Sequence, residues 1–333
     1  MSAVPQIPPE PDDLLPLDPG MTAFGAAVAA AMPPGAADWP LPRRRAAWEE
    51  VCRRFRAPRP AGLAVADVTI AGAGGALALR VYRPAGAGRR PGVLYFHGGG
   101  WILGSLETHD DICAEIAAGA DVAVVAVDYR LAPEHPHPAQ IADALAARDW
   151  LLAEGAGHGV DAARLVAAGD SAGGEISAGL AIHLKDQGLP QLAGLALAYP
   201  ILGADTDTPS YVRHAEASLS RTEMQRYLAA FLGLPERFAW RDARAVPLRA
   251  RDVAGLPPTF LTAAGHDPLH DDAVMFAGRL RAAGVPALLR REPALGHAYI
   301  RARHASAPAG AGFAAILAAI RALAHEGRLP EPA

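Results

Sequence analysis

Leu165-Val-Ala-Ala-Gly-Asp-Ser-Ala-Gly-Gly174 is the stretch that decides how the rest of this chain is read. An apolar run enters Gly169-Asp170-Ser171-Ala172-Gly173, a Gly-x-Ser-x-Gly, and a helical pattern from Ala172 to Asp186 follows at once. A serine between a strand and a helix stands on a sharp turn that lifts its hydroxyl clear of the sheet. Side chains flanking such a turn would collide with it, which gives Gly169 and Gly173 a steric reason to be glycine. The helix that starts at Ala172 also aims unpaired N–H groups and its positive end at whatever the hydroxyl attacks. The five-residue pattern alone arises by chance in ordinary strand–helix turns. The strand before it and the helix after it single out Ser171 as a nucleophile.

Upstream, Tyr95-Phe-His-Gly-Gly-Gly-Trp101 follows directly on the apolar run 92–96. Consecutive glycines leave backbone N–H groups uncovered and let the chain approach a tetrahedral intermediate closely. Gly99 and Gly100, with Ala172, are therefore the expected oxyanion donors. Gly98 supports the turn, and His97 is expected to brace it through hydrogen bonds. A phosphate cradle would need Lys-Ser/Thr after the glycines, where Trp101 and Ile102 stand. The glycines between 72 and 75 lead into a second strand and not a helix, so a dinucleotide turn is rejected.

A serine hydroxyl needs a general base, and that base needs a group to hold its tautomer. Both should follow the serine at the ends of later strands, acid before base. Asp267 closes the apolar run 259–264, and His297 follows the strand pattern 286–290. His266 is expected to point away from the acid, since alternate residues at a strand end face opposite sides. His270 and Asp271 fall in the next helical stretch, where solvation at the surface is the expected role. His304 is a further competitor downstream. His135 and His137 have ligand-like spacing but no evident third ligand, so no metal is expected.

Around these segments, apolar runs at 92–96, 122–128, 163–168, 192–199, 259–264 and 286–290 alternate with helical patterns such as Ala139–Glu154, Ala172–Asp186 and Asp271–Ala283. That rhythm predicts an α/β fold, a mostly parallel sheet with helices on both faces. Two strand patterns, Val65–Ile70 and Ala76–Tyr82, precede it. The first 20 residues, rich in Pro and Asp, are expected to be extended or poorly ordered. Residues 1–58 read as N-terminal cap helices, 59–202 and 251–333 as the core, and 203–250 as a cap insertion. In the insertion Ser220-Arg-Thr-Glu223 resembles a capping box, followed by Met224, Tyr227, Leu228 and Phe231 on one helix side.

Composition sets the outer limits. Of 333 residues 51% are hydrophobic, ample for a large core, and the net charge of −4 offers no basic footprint for nucleic acid. Cys52 and Cys113 form no zinc or redox spacing. The apolar run from Met21 to Met32 follows acidic residues and is too short to span a bilayer, so a cytoplasmic location without a stable membrane anchor is expected.

Taken together, His97-Gly-Gly-Gly-Trp101, Thr108-His-Asp-Asp111, Asp128-Tyr-Arg-Leu-Ala-Pro-Glu-His-Pro136, Gly169–Gly174, Tyr199-Pro200 and Asp267-Pro-Leu269 resemble the hormone-sensitive-lipase-like esterases, the bacterial family IV carboxylesterases of the α/β-hydrolase fold. The resemblance covers about residues 60 to 325. It implies a Ser171–Asp267–His297 triad, an oxyanion hole of Gly99, Gly100 and Ala172, a helical cap, no cofactor, and a short- or medium-chain ester as substrate. Members often pair through the edge of the last strand, which makes a homodimer an expectation. An amidase or deacetylase would use the same triad. A non-catalytic receptor resembling the plant gibberellin receptors would lack the histidine. Two positions depart from the family: Glu175, where Asn is common, and Ala298-Tyr299, where Gly-Phe is usual. A carboxylate at Glu175 is expected to suit the helix dipole and to leave the chemistry alone.

Overall fold

The apolar runs become the central strands of a single eight-stranded sheet. A computed structural model describes residues 14–331 other than 87, 216–217 and 234–238. The strands are β1 (Leu63–Gly72), β2 (Gly75–Pro84), β3 (Arg90–Phe96), β4 (Ala123–Val127), β5 (Val160–Asp170), β6 (Gly194–Ala198), β7 (Thr259–His266) and β8 (Ala287–Gly296). Their order across the sheet is β1-β2-β4-β3-β5-β6-β7-β8. The β1–β2 and β2–β4 pairs are antiparallel, and every later pair is parallel. The strands from β3 to β8 therefore end on one edge, where loops can gather side chains that are distant in sequence.

Alternation along the strands divides the core into two layers. Leu94 and Phe96 of β3 pack on one face with α4 (Ala139–Glu154), α5 (Ala172–Asp186) and α8 (His270–Ala282). Val93 and Tyr95 pack on the other with α3 (Asp110–Ala120) and α9 (Ala307–Glu326). Both faces are covered, so the central strands read as unbroken apolar runs. Strand β8 is longer than the run 286–290. It is an edge strand and tolerates Arg290 at the end of that run and Arg291 and Glu292 beyond it. By length and composition α9 could cross a membrane, but half of its apolar window is buried, as in a core helix.

At the N-terminus residues 1–13 lie outside the described residues and 14–18 form no regular element, so the expectation for the first 20 residues changes only at its end, where a helix starts at Pro19. A first helix, α1, spans Pro19–Ala31, with Asp18 accepting Met21 N–H at 2.9 Å and proline in the first turn. Of the Asp and Pro residues that suggested an extended chain, Asp18 and Pro19 are an N-cap and an N1 residue. Helix α2 (Leu41–Arg54) follows and buries Val51 and Cys52. Between β6 and β7 the chain forms α6 (Pro209–Arg213) and α7 (Arg221–Leu232). The capping box at Ser220 and Glu223 is present, and Met224, Leu228 and Phe231 are buried while Tyr227 is half-buried.

Candidate active site

Ser171 sits between the last residue of β5 and the first of α5, with φ 53° and ψ −116°. A non-glycine residue at positive φ is held there only by its surroundings. Its N–H donates to Ala198 O of β6 at 2.9 Å, and its carbonyl accepts from Gly174 and Ile201. The flanking glycines are required sterically. A Cβ on Gly173 would land on Phe96 O, and one on Gly169 would strike the Gly173 backbone. The helix can thus approach β3 more closely than any other residue pair would permit.

Asp267 and His297 stand beyond the ends of β7 and β8, strands that run parallel with His266 opposite Gly296. His297 Nε2 is 3.0 Å from Ser171 Oγ, and its Nδ1 is 2.8 Å from Asp267 Oδ2. Asp267 is wholly buried, and its other oxygen accepts the Leu269 N–H at 2.9 Å. With both Asp267 oxygens engaged, the imidazole is held with Nδ1–H toward the acid and a lone pair toward the hydroxyl. The edge of Tyr199 packs against the His297 ring, centroids 5.0 Å apart. The three residues singled out from the sequence therefore meet in one hydrogen-bonded line.

The glycine turn lies beside them. Gly99, Gly100 and Trp101 have φ of 128°, 60° and 61°, three left-handed residues in succession. Gly99 O accepts from Ile102 and Leu103 N–H, and Gly98 N–H donates to Asp170 Oδ1 at 3.0 Å. Among the described residues, none accepts a hydrogen bond from the N–H of Gly99, Gly100 or Ala172. His97 is buried and braces the turn: Nδ1 is 3.0 Å from Gly98 O, and the ring stacks on Tyr129 at 4.2 Å. Burial, aided by nearby His109, pushes its pKa down to about 3, so it is neutral. Tyr129 hydroxyl in turn donates to His97 O at 2.6 Å. From α7, the Tyr227 ring lies where a Cβ on Gly100 would come within 2.6 Å of it. Arg45 of α2 donates to Ile102 O and Ala132 O.

Other expectations are corrected. His270, Asp271 and Asp272 are buried, not solvated. Asp272 Oδ2 accepts Leu202 and Gly203 N–H, both at 2.8 Å, while Asp271 accepts Ser210 N–H at 2.9 Å. The first turn of α8 thereby anchors the start of the 203–250 segment. Glu175 does stand in the first turn of α5, but burial opposes the charge that would suit the dipole. It is fully buried, and burial pushes its carboxyl well above the usual range although Trp101 donates to it. His266 does turn away from the acid, to Leu15 O at 2.7 Å, and His304 pairs with Glu115 at 2.9 Å. His137 pairs with Asp242 at 2.9 Å, and the described residues contain no cluster of three metal-ligating side chains. Ala298 adopts φ 60°, which accounts for the family's glycine there. Sequence reasoning missed Asp170, whose carboxylate gathers Gly98, Tyr95 and His109; its only signal was its place beside the nucleophile.

A family model described as alpha/beta hydrolase fold matches residues 93–301, which contain Ser171, Asp267, His297 and the glycine turn. The chain belongs to this family. This α/β hydrolase is 43% identical over 239 residues to the carboxylesterase NlhH of Mycobacterium tuberculosis, covering 70% of this chain and 75% of that one. It is 35% identical over 240 residues to an ethyl acetate hydrolase of Pseudomonas putida, covering 68% and 73% respectively. Among solved structures, the hyperthermophilic esterase of Pyrobaculum calidifontis superimposes with a TM-score of 0.84 at 31% identity, over 93% of this hydrolase and 99% of that chain. The hormone-sensitive-lipase-like resemblance and the α/β-hydrolase fold both stand.

Proposed function

We propose that this α/β hydrolase cleaves carboxylic esters of short to medium acyl chains through an acyl-enzyme on Ser171. The observation that carries the reading is the line Ser171 Oγ, His297 Nε2, His297 Nδ1, Asp267 Oδ2, with links of 3.0 and 2.8 Å. Relatives named carboxylesterase and ethyl acetate hydrolase support the substrate class. His297 takes the hydroxyl proton as Oγ attacks the carbonyl, and Asp267 stabilises the imidazolium that forms. The N–H groups of Gly99, Gly100 and Ala172 receive the oxyanion, each donor contributing ~3–4 kcal/mol to the transition state. His297 returns the proton to the leaving alkoxide, and water then repeats the sequence on the acyl-enzyme. Helices α1 and α2 with the 203–250 segment serve as a cap. Arg45 on Ile102 O and Tyr227 over Gly100 support that role.

The test is turnover of 4-nitrophenyl esters from acetyl to palmitoyl, alongside labelling by a fluorophosphonate. Wild type should label at Ser171 and favour the shorter chains; Ser171→Ala should fold but neither label nor turn over. Full activity in that variant refutes the assignment. Aryl acetates compared with the matching anilides separate an esterase from an amidase with the same triad.

A further inference from the structure

An oxyanion at Ser171 is held by two separate pieces of chain, the Gly99–Gly100 turn after β3 and Ala172 at the head of α5. Their relative placement sets whether the donors converge on one point. The two pieces touch where Gly173 abuts Phe96 O and where Gly98 N–H donates to Asp170 Oδ1, and both contacts lie on the near side of the turn, before Gly99. A further contact holds the far side of the turn. Trp101, the residue after Gly100, donates its indole N–H to Glu175 Oε2 at 2.8 Å, and Glu175 lies in the first turn of α5.

We propose that Glu175 is a positioning residue: a buried acceptor that locks the Gly99–Gly100 turn against the Ala172 end of α5 by holding the Trp101 indole. The proposal rests on the acyl-transfer reading above. Several observations support it. Trp101 is fully buried at φ 61°, a backbone state that an L-residue keeps only when its surroundings over-determine it. Its ring lies flat on Phe231 of α7, centroids 3.9 Å apart and 3° from parallel, and its carbonyl accepts Ala132 N–H at 2.9 Å. Indole face, indole edge and carbonyl are thus all engaged, so the residue is fixed in every direction and carries Gly100 with it.

Glu175 is itself fully buried, and its second oxygen, Oε1, has no hydrogen-bond partner among the described residues. Among those residues no cation pairs with it, and the nearby carboxylate of Asp242 opposes its ionisation. A negative charge at this depth would also repel the oxyanion that the turn is built to receive. A neutral acceptor at this place would avoid that repulsion. The ground-state carbonyl accepts weakly from the donors and the oxyanion strongly, so loosening the turn should lower kcat and spare KM.

The experiment uses wild type, Glu175→Gln, Glu175→Leu, Trp101→Phe and the Glu175→Leu/Trp101→Phe double variant. The readouts are kcat and KM for 4-nitrophenyl butyrate, per site titrated with a fluorophosphonate, and inhibition by a trifluoromethyl ketone, which forms a bound oxyanion. A wild type that neither labels nor turns over defeats the acyl-transfer reading; an active wild type lets the variants judge Glu175. Glu175→Leu should lose about 10- to 100-fold in kcat with KM within about twofold, and its ketone inhibition constant should rise in step. Glu175→Gln, neutral and of the same shape, should stay within about threefold of wild type. Trp101→Phe keeps the ring stack and removes the donor, so it should match Glu175→Leu, and the double variant should lose no more than either alone. Undiminished kcat in Glu175→Leu, losses that multiply in the double variant, or a Gln variant as impaired as the Leu variant would each overturn the proposal. Should Glu175→Leu not fold, Trp101→Phe at wild-type kcat overturns it equally.

Discussion

Asp170, the residue immediately before the nucleophile, accepts the N–H of Gly98 at 3.0 Å and so holds the first glycine of the donor turn. The same oxygen accepts the Tyr95 hydroxyl at 2.8 Å and lies 3.3 Å from His109 Nε2. Burial works against its charge, but His109, Arg301 and the Tyr95 hydroxyl outweigh it and keep the carboxyl below the usual range. Asp170→Ala leaves these buried groups unpaired and should lower stability by about 3 kcal/mol. Asp170→Asn, which retains an acceptor, should cost less than half as much. Urea titrations of both variants make the comparison, and an alanine variant with an unchanged midpoint contradicts it.

Asp267 holds His297 Nδ1 at 2.8 Å, and Asp267→Asn keeps the size of the acid while allowing the wrong imidazole tautomer to be stabilised. Turnover should fall by a factor on the order of 10⁴, by analogy with the same exchange in serine proteases. Fluorophosphonate labelling should slow in parallel while the melting temperature changes little. A loss below tenfold would show that the tautomer is held by something else.

Asp272 ties α8 to the chain leaving β6, and burial raises its carboxyl from the ordinary 3.8 to about 7, with Asp271 and Asp267 adding to the rise and the two backbone N–H groups opposing it. Between those two values the folded protein keeps a proton that the unfolded chain releases, so stability falls as pH rises from about 4 to about 7. Asp272→Asn accepts the same N–H groups and has no charge to bury. Its melting temperature should exceed that of wild type at pH 8.5 by more than at pH 5. Equal gains at the two values would remove Asp272 as the source of that slope.

Ala298 follows His297 at φ 60°, a conformation that costs a residue with a Cβ about 1–2 kcal/mol. Glycine relieves that strain but gains freedom in the unfolded chain, about 0.4–1 kcal/mol in the other direction. Ala298→Gly should therefore stabilise by up to about 1 kcal/mol with kcat within about twofold. Calorimetry and initial rates check both parts; a lower melting temperature contradicts the strain argument.

The three residues that meet at the end of the sheet were legible because acyl transfer, the proposed chemistry, is demanding about residue type and place. Ser171, Asp267 and His297 each had to stand at a strand end, and the glycines had to be glycines, so few alternatives fitted. Buried carboxylates were opaque for the opposite reason. An acidic residue on a helix belongs by default at the surface, and its burial depends on partners far off in the chain. Glu175 is decided by Trp101, and Asp272 by Leu202 and Gly203. Asp18 and Pro19 show the same limit on a smaller scale: a capping pair and an irregular tail use the same letters until the helix after them is seen.

Ser171 and His297 are separated by 126 residues, and β8, the outermost strand, carries the latter. Synthesis runs from the N-terminus, so a growing chain displays its serine long before the imidazole leaves the ribosome. Helix α9, which seals one face of the sheet, emerges later still. A chain interrupted before His297 would thus carry the serine without the imidazole that the proposed reaction needs.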